Sequence, residues 1–188
     1  CGDCLGFAPE VEQPWVQDFS WPDREWIFSP LGYRPLSPDG TLVPTYPAGL
    51  PIMMAVSLAM LGENGPFYIV PLAGALLLWC TYLLGRGATG IRTVGTLAAL
   101  LLLASPVFLT HLLVPMSDVP AAAGWTLVAV LVLKQRALAA GVVSGLTLVI
   151  RPNLILLVLM PVFGWQRRDE PIVRYSIGVL PGLLAIVV

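Results

Sequence analysis

Charge is what this chain has least of. Asp, Glu, Lys and Arg together make up 11% of its 188 residues, where soluble domains carry about 25%. Nor does one sign prevail, since 10 basic and 11 acidic residues leave a net charge of -1. Histidine occurs once and cysteine three times. Each shortage excludes something. So few charges cannot coat a water-soluble globule, which rules out a soluble enzyme and a disordered tail. The missing basic excess rules out a nucleic-acid partner. Cys1 and Cys4 form one C-x-x-C pair that an oxidising compartment would close, but Cys80 lies in an apolar run and His111 stands alone. That is too little for a zinc cluster. The sequence therefore carries no cofactor motif, and it leaves the use of a divalent metal open.

What is abundant is apolar. Hydrophobic residues account for 57% of the chain, and its mean hydropathy is +0.83. The expected fold class is all-α: a multi-pass transmembrane helical bundle with an N-terminal extracytoplasmic loop and a short juxtamembrane helix. Residues 1–65 hold eight acids from Asp3 to Glu63 against Arg24 and Arg34, together with Trp15, Trp21, Trp26 and many prolines. This stretch reads as an ordered, loop-rich polar segment whose tryptophans suit a membrane interface. Its end, about 47–61, is apolar but shorter than the roughly 20 residues a span needs, so it reads as a helix lying at the interface.

Residues 66–188 supply about six membrane segments: Phe67–Gly85, Thr93–Leu113, Val119–Leu133, Ala137–Ile150, Leu154–Trp165 and Tyr175–Val188. Their periodicity is helical, and only helices or closed barrels satisfy the backbone in lipid. The chain begins at Cys1 and stops inside an apolar run. It reads as truncated at both ends; a lipoprotein cleaved before Cys1 is the other reading.

Charge between the segments gives the orientation. Arg86 and Arg92, then Lys134 and Arg136, then Arg167 and Arg168 occupy alternate connections. Basic loops mark the cytoplasmic side, which leaves the acidic N-terminal segment, Asp118 and Arg151 on the outer face of the cell membrane. Asp118 begins a helix, where it serves either as an N-cap or as a site carboxylate. Arg151 stands between two half-length helices, where it either snorkels to the interface or faces a cavity or a partner.

Several patches resemble the C-type glycosyltransferases, multi-pass enzymes that take sugars from polyprenyl phosphates and include the protein O-mannosyltransferases and the lipid A aminoarabinose transferases. They are Pro44-Thr45-Tyr46-Pro47-Ala48-Gly49-Leu50-Pro51, then Tyr82-Leu83-Leu84-Gly85-Arg86, then Ser117-Asp118-Val119-Pro120 with Arg151-Pro152-Asn153 some thirty residues on. The resemblance implies that Asp3 is a loop carboxylate at the active site, Asp118 a second acid and Arg151 a contact to the donor phosphate. It also implies that helix 47–61 borders the cavity. Tyr33, Arg34 and Tyr46 are candidates for lining the acceptor side.

The chemistry suits these residue types. A carboxylate can take the proton of an acceptor hydroxyl, and an arginine can stabilise the departing phosphate. The partners implied are a polyprenyl-phosphate sugar donor, the lipid bilayer and a glycan, lipid or protein acceptor. No glycine-rich phosphate loop points to a nucleotide sugar as direct donor. The competing reading is a multi-pass membrane transporter with interrupted helices, since a broken helix at Arg151-Pro152 is also how transporters line a path.

Overall fold

The structure is a computed structural model that describes residues 33–35, 42–44, 47–161, 165 and 169–187. The chain divides into two compact units, Cys1–Pro47 and Ala48–Val188. In the first, β1 (Tyr33–Pro35) pairs antiparallel with β2 (Leu42–Pro44), Arg34 opposite Val43. This pair of three-residue strands is too short to change the all-α class.

Every other described element is helical. α1 (Gly49–Leu61) ends at Gly62, whose φ of 73° turns the chain and lets its amide bond the Leu58 carbonyl at 2.9 Å. This left-handed position favours a residue without a Cβ. α2 (Gly65–Thr89) starts with Pro66 in its first turn, where a missing N–H costs nothing. α3 (Arg92–Leu103) and α4 (Pro106–Leu112) follow. α5 (Asp118–Leu133) and α6 (Ala137–Ile150) come next, and a 3₁₀ helix (Pro152–Leu159) leads towards α7 (Asp169–Val187).

Two expected segments take a different form. Thr93–Leu113 is not one helix, because α3 and α4 meet at an angle of 67°. Ser105 and Pro106 explain the break. A residue before proline is pushed out of helical geometry, and Ser105 sits at φ -72°, ψ 118° while its hydroxyl caps the Phe108 amide. The expected helix Leu154–Trp165 begins instead as the tighter 3₁₀ form. The last helix starts at Asp169, six residues ahead of the apolar run at Tyr175, and its first turns carry a Glu170–Arg174 ion pair.

Close approaches fix how the helices run. Gly87 faces Leu133 across the far ends of α2 and α5, while Val70 and Val119 pack together near their starts. α2 and α5 are therefore parallel. α3 returns beside α2, with Gly85 against Gly95, and α4 brings Phe108 to Gly74. α6 runs back along α5, with Gly124 against Thr147. The 3₁₀ helix then turns back, so α7 lies parallel to α6. Gly141 meets Gly178 and Gly145 meets Gly182, so a G-x-x-x-G on each helix lets the two backbones touch.

This arrangement sorts the connections. Arg86, Arg92, Lys134, Arg136 and Arg174 gather at one end of the bundle, and Asp118 and Arg151 occupy the other.

The core has two parts. Val70, Leu77, Phe108, Val119 and Ala123 join α2, α4 and α5. A larger cluster around Trp125, Val128, Leu148, Trp165, Tyr175 and Val179 joins α5, α6 and α7. Inside it, the Tyr175 hydroxyl lies 3.1 Å from the Val158 carbonyl oxygen and 2.9 Å from Ser144 Oγ. A carbonyl only accepts, so the phenol proton goes to Val158 and the Ser144 hydroxyl completes the chain. One polar node thus ties the 3₁₀ helix to α6 and α7. Trp165 stacks edge-on against Tyr175 at 5.7 Å.

Candidate functional site

Asp118 and Arg151 are 33 residues apart in sequence and form an ion pair, Arg151 Nη1 donating to Asp118 Oδ1. The helical hairpin α5–α6 makes the meeting. Its arms of 16 and 14 residues are nearly equal and are joined by the short turn Lys134–Arg136, so the first residue of one arm stands beside the residue that ends the other.

Local chemistry sets each partner. Asp118 is the first residue of α5, and Ser117 occupies the N-cap without a side-chain capping bond. The carboxylate therefore serves Arg151 rather than capping its own helix, while the helix dipole still favours its charge. Pro152 disfavours helical geometry at Arg151, which adopts φ -147°, ψ 85° and closes α6 with an amide bond to Thr147 O at 2.9 Å. The end of α6 and the pose of the guanidinium thus have one cause.

Both side chains are half-buried, 33% exposed for Arg151 and 42% for Asp118. Below them the seam between α5 and α6 closes. A Cβ on Gly124 would stand 2.9 Å from Thr147 Cγ2, and the Thr147 hydroxyl, itself buried, donates to Val143 O at 2.7 Å. Beside them sits the start of α1, where a Cβ on Gly49 would come within 2.6 Å of the Ile150 backbone. The pair thus sits beside closely packed backbone while both side chains stay partly exposed. A guanidinium has five N–H donors in a planar fork, so a single bond to Asp118 orients it while other donors stay available for a bidentate anion.

Of the residues singled out from sequence, the structure brings Asp118 and Arg151 together. Tyr33 and Arg34 lie on β1. Asp3 and Tyr46 fall outside the described residues, as do Cys1, Cys4, Trp15, Trp21, Trp26, Arg167 and Arg168. His111 places Nδ1 2.8 Å from Val107 O in its own helix, a local bond that a half-buried histidine makes for itself. Among the described residues no three His, Cys, Asp or Glu side chains converge as a metal site would need.

Sequence reasoning missed what fixes α6, the helix that ends at Arg151. The paired G-x-x-x-G segments, Gly141/Gly145 and Gly178/Gly182, and the Tyr175 node hold α6 against α7. Glycine spacing was the available signal. No family model, curated protein or solved structure matches this chain.

Proposed function

We propose that this chain is part of an integral-membrane glycosyltransferase that moves a sugar from a polyprenyl-phosphate donor to an acceptor on the extracytoplasmic face. The Asp118–Arg151 pair carries the reading: a half-exposed arginine, oriented by a carboxylate, at the end of the bundle opposite the basic turns.

Membrane embedding is supported by the exterior. α2 is 25 residues long with a hydropathy of 1.9, enough to cross a bilayer, and α3 with α4 is long and apolar enough only if the bent pair is one span. Apolar side chains cover the outside of the bundle, with Phe67 76%, Leu101 73%, Leu113 87% and Leu156 76% exposed. Soluble monomers rarely show patches of this extent, and in lipid such side chains are already solvated. Basic turns mark the cytoplasmic side, so Asp118 and Arg151 belong to the outer one. Helices of 16 and 14 residues span about 24 and 21 Å. Both fall short of a hydrocarbon core of about 30 Å, which favours a depth for the pair at which a prenyl tail could stay in lipid while its phosphate meets protein.

The chemistry runs as follows. An acceptor hydroxyl attacks the anomeric carbon, the bond from that carbon to the phosphate oxygen breaks, and its electron pair leaves with the polyprenyl phosphate. The hydroxyl proton passes to a carboxylate, the role assigned to Asp3. Arg151 neutralises the charge growing on the phosphate, and Asp118 holds the guanidinium in position. Tyr33, Arg34 and Tyr46 are assigned to the acceptor side.

The test is sugar transfer from a polyprenyl-phosphate donor in membranes carrying the protein. Arg151→Gln should lower the rate by about 10²- to 10³-fold, the usual effect of removing a group that stabilises developing charge. Asp118→Asn should also lower it, through misplacement of Arg151. Transfer unchanged in both variants would overturn the assignment. The breaks at Ser105 and Arg151 favour a second reading, a transporter with interrupted helices. Solute flux into proteoliposomes that survives both substitutions would select it.

A further inference from the structure

At the opposite end of the bundle, the starts of α6 and α7 enclose an open depression of about 610 Å³. Arg136 and Arg174 line it together with Gln135 and Glu170, and Ala137, Leu138 and Pro171 supply apolar lining. We infer that this depression binds the phosphate headgroup of an anionic phospholipid. The inference rests on the membrane reading above but not on the enzymatic one.

Charge and shape argue for that ligand together. Arg136 comes from the turn before α6 and Arg174 from the second turn of α7, so two guanidinium forks approach one space from different helices. The planar guanidinium of arginine can donate two parallel N–H bonds to two oxygens of one phosphate. Glu170 binds Arg174 at 2.6 Å, which offsets one of the two arginine charges and leaves the lining one positive charge in excess. Because α6 and α7 are parallel and both begin here, their positive dipole ends add to the same potential.

An apolar track then leads away. Leu138 forms the lip of the depression at 53% exposure, and Val142 and Leu146 continue from it at four-residue spacing, 44% and 62% exposed. On α7, Ile177 lies one turn beyond Arg174 and is 55% exposed. A free anion needs no such track, whereas a phospholipid presents its phosphate beside acyl chains. The basic end is also the side where a membrane carries anionic lipid. The depression lies at the other end of the bundle from Asp118 and Arg151, so it is a separate site.

Native mass spectrometry of the detergent-purified chain tests this, with phosphatidylglycerol and phosphatidylcholine titrated in parallel. Phosphatidylglycerol should bind the more tightly, and the R136Q/R174Q double variant should lose roughly tenfold to thirtyfold of that affinity, about 1 kcal/mol for each arginine. The R86Q/R92Q variant, which removes equal charge at the same end but outside the depression, should bind as the unaltered chain does. E170Q, which removes the competing carboxylate, should bind more tightly, and it keeps the test open if the double variant does not fold.

Four results would overturn the inference: no preference for phosphatidylglycerol, equal loss in both double variants, binding that E170Q leaves unchanged, or displacement of the lipid by millimolar inorganic phosphate. Sugar transfer plays no part in these readings, so failure of the enzymatic assignment leaves them intact. Release of the chain from membranes by alkaline carbonate would overturn the membrane reading, and this inference with it.

Discussion

Gly178→Ala probes the contact between α6 and α7. A Cβ at position 178 would stand 2.7 Å from the Leu138 carbonyl oxygen, 2.8 Å from the Val142 amide nitrogen and 3.0 Å from the Gly141 carbonyl carbon. All three are backbone atoms, so no rotamer change relieves them and α6 must move away from α7. Overpacking of this kind costs about 1 to 3 kcal/mol. Against it stands the helix preference for alanine over glycine, about 1 kcal/mol, so the net loss is between zero and about 2 kcal/mol. Gly87→Ala is the matched control. It is also helical, but its new methyl meets only Leu133 Cδ1, at 3.2 Å, the mobile end of a side chain. There the propensity gain stands nearly alone. The two variants should thus differ by about 1 to 3 kcal/mol, a factor of roughly 5 to 150 in the unfolding equilibrium. Titration with sodium dodecyl sulfate in mixed micelles, followed by helical circular dichroism, measures the difference. If Gly178→Ala proved as stable as Gly87→Ala, the two backbones do not touch and the packing argument fails.

Two further outcomes follow from the same geometry. Tyr175→Phe keeps the stacking on Trp165 but removes the proton given to Val158 O and the partner of Ser144, so the same titration should show a loss of about 1 to 3 kcal/mol; an unchanged midpoint would mean the node is not formed. The D118R/R151D exchange should be more stable than either single charge reversal, with a coupling of about 0.5 to 1 kcal/mol, because both partners are more than a third exposed or close to it. Full recovery is not expected, since a cation at the start of α5 opposes the helix dipole, and strict additivity of the two single variants would show that the pair does not interact.

Much of the bundle is legible in the sequence alone. Helices over residues 65–89, 118–133 and 137–150 follow from apolar runs ended by glycine, proline and charge. The break at Ser105-Pro106 carries a plain signal, a capping residue followed by proline, but the uncharged stretch around it hides the boundary. The early start of α7 is hidden the other way. Asp169, Glu170 and Arg174 look like loop, yet the Glu170–Arg174 pair four residues apart suits an exposed helical turn. The 3₁₀ form after Arg151 has no local signature beyond Pro152.

What the sequence determined by itself was which residues are costly to leave unpartnered. In a chain with 11% charge, Asp118 and Arg151 stand out because each interrupts an apolar run. That they are each other's partner was decided by tertiary structure, because the meeting depends on the matched lengths of α5 and α6 and on the seam at Gly124 and Thr147. The glycines teach the same lesson. Their spacing marks helices that can approach closely, but only the parallel course of α6 and α7 determines that Gly141 meets Gly178 and Gly145 meets Gly182. Local chemistry chooses the elements and sets the cost of their exposed groups; contact between residues far apart in sequence requires the path of the whole chain.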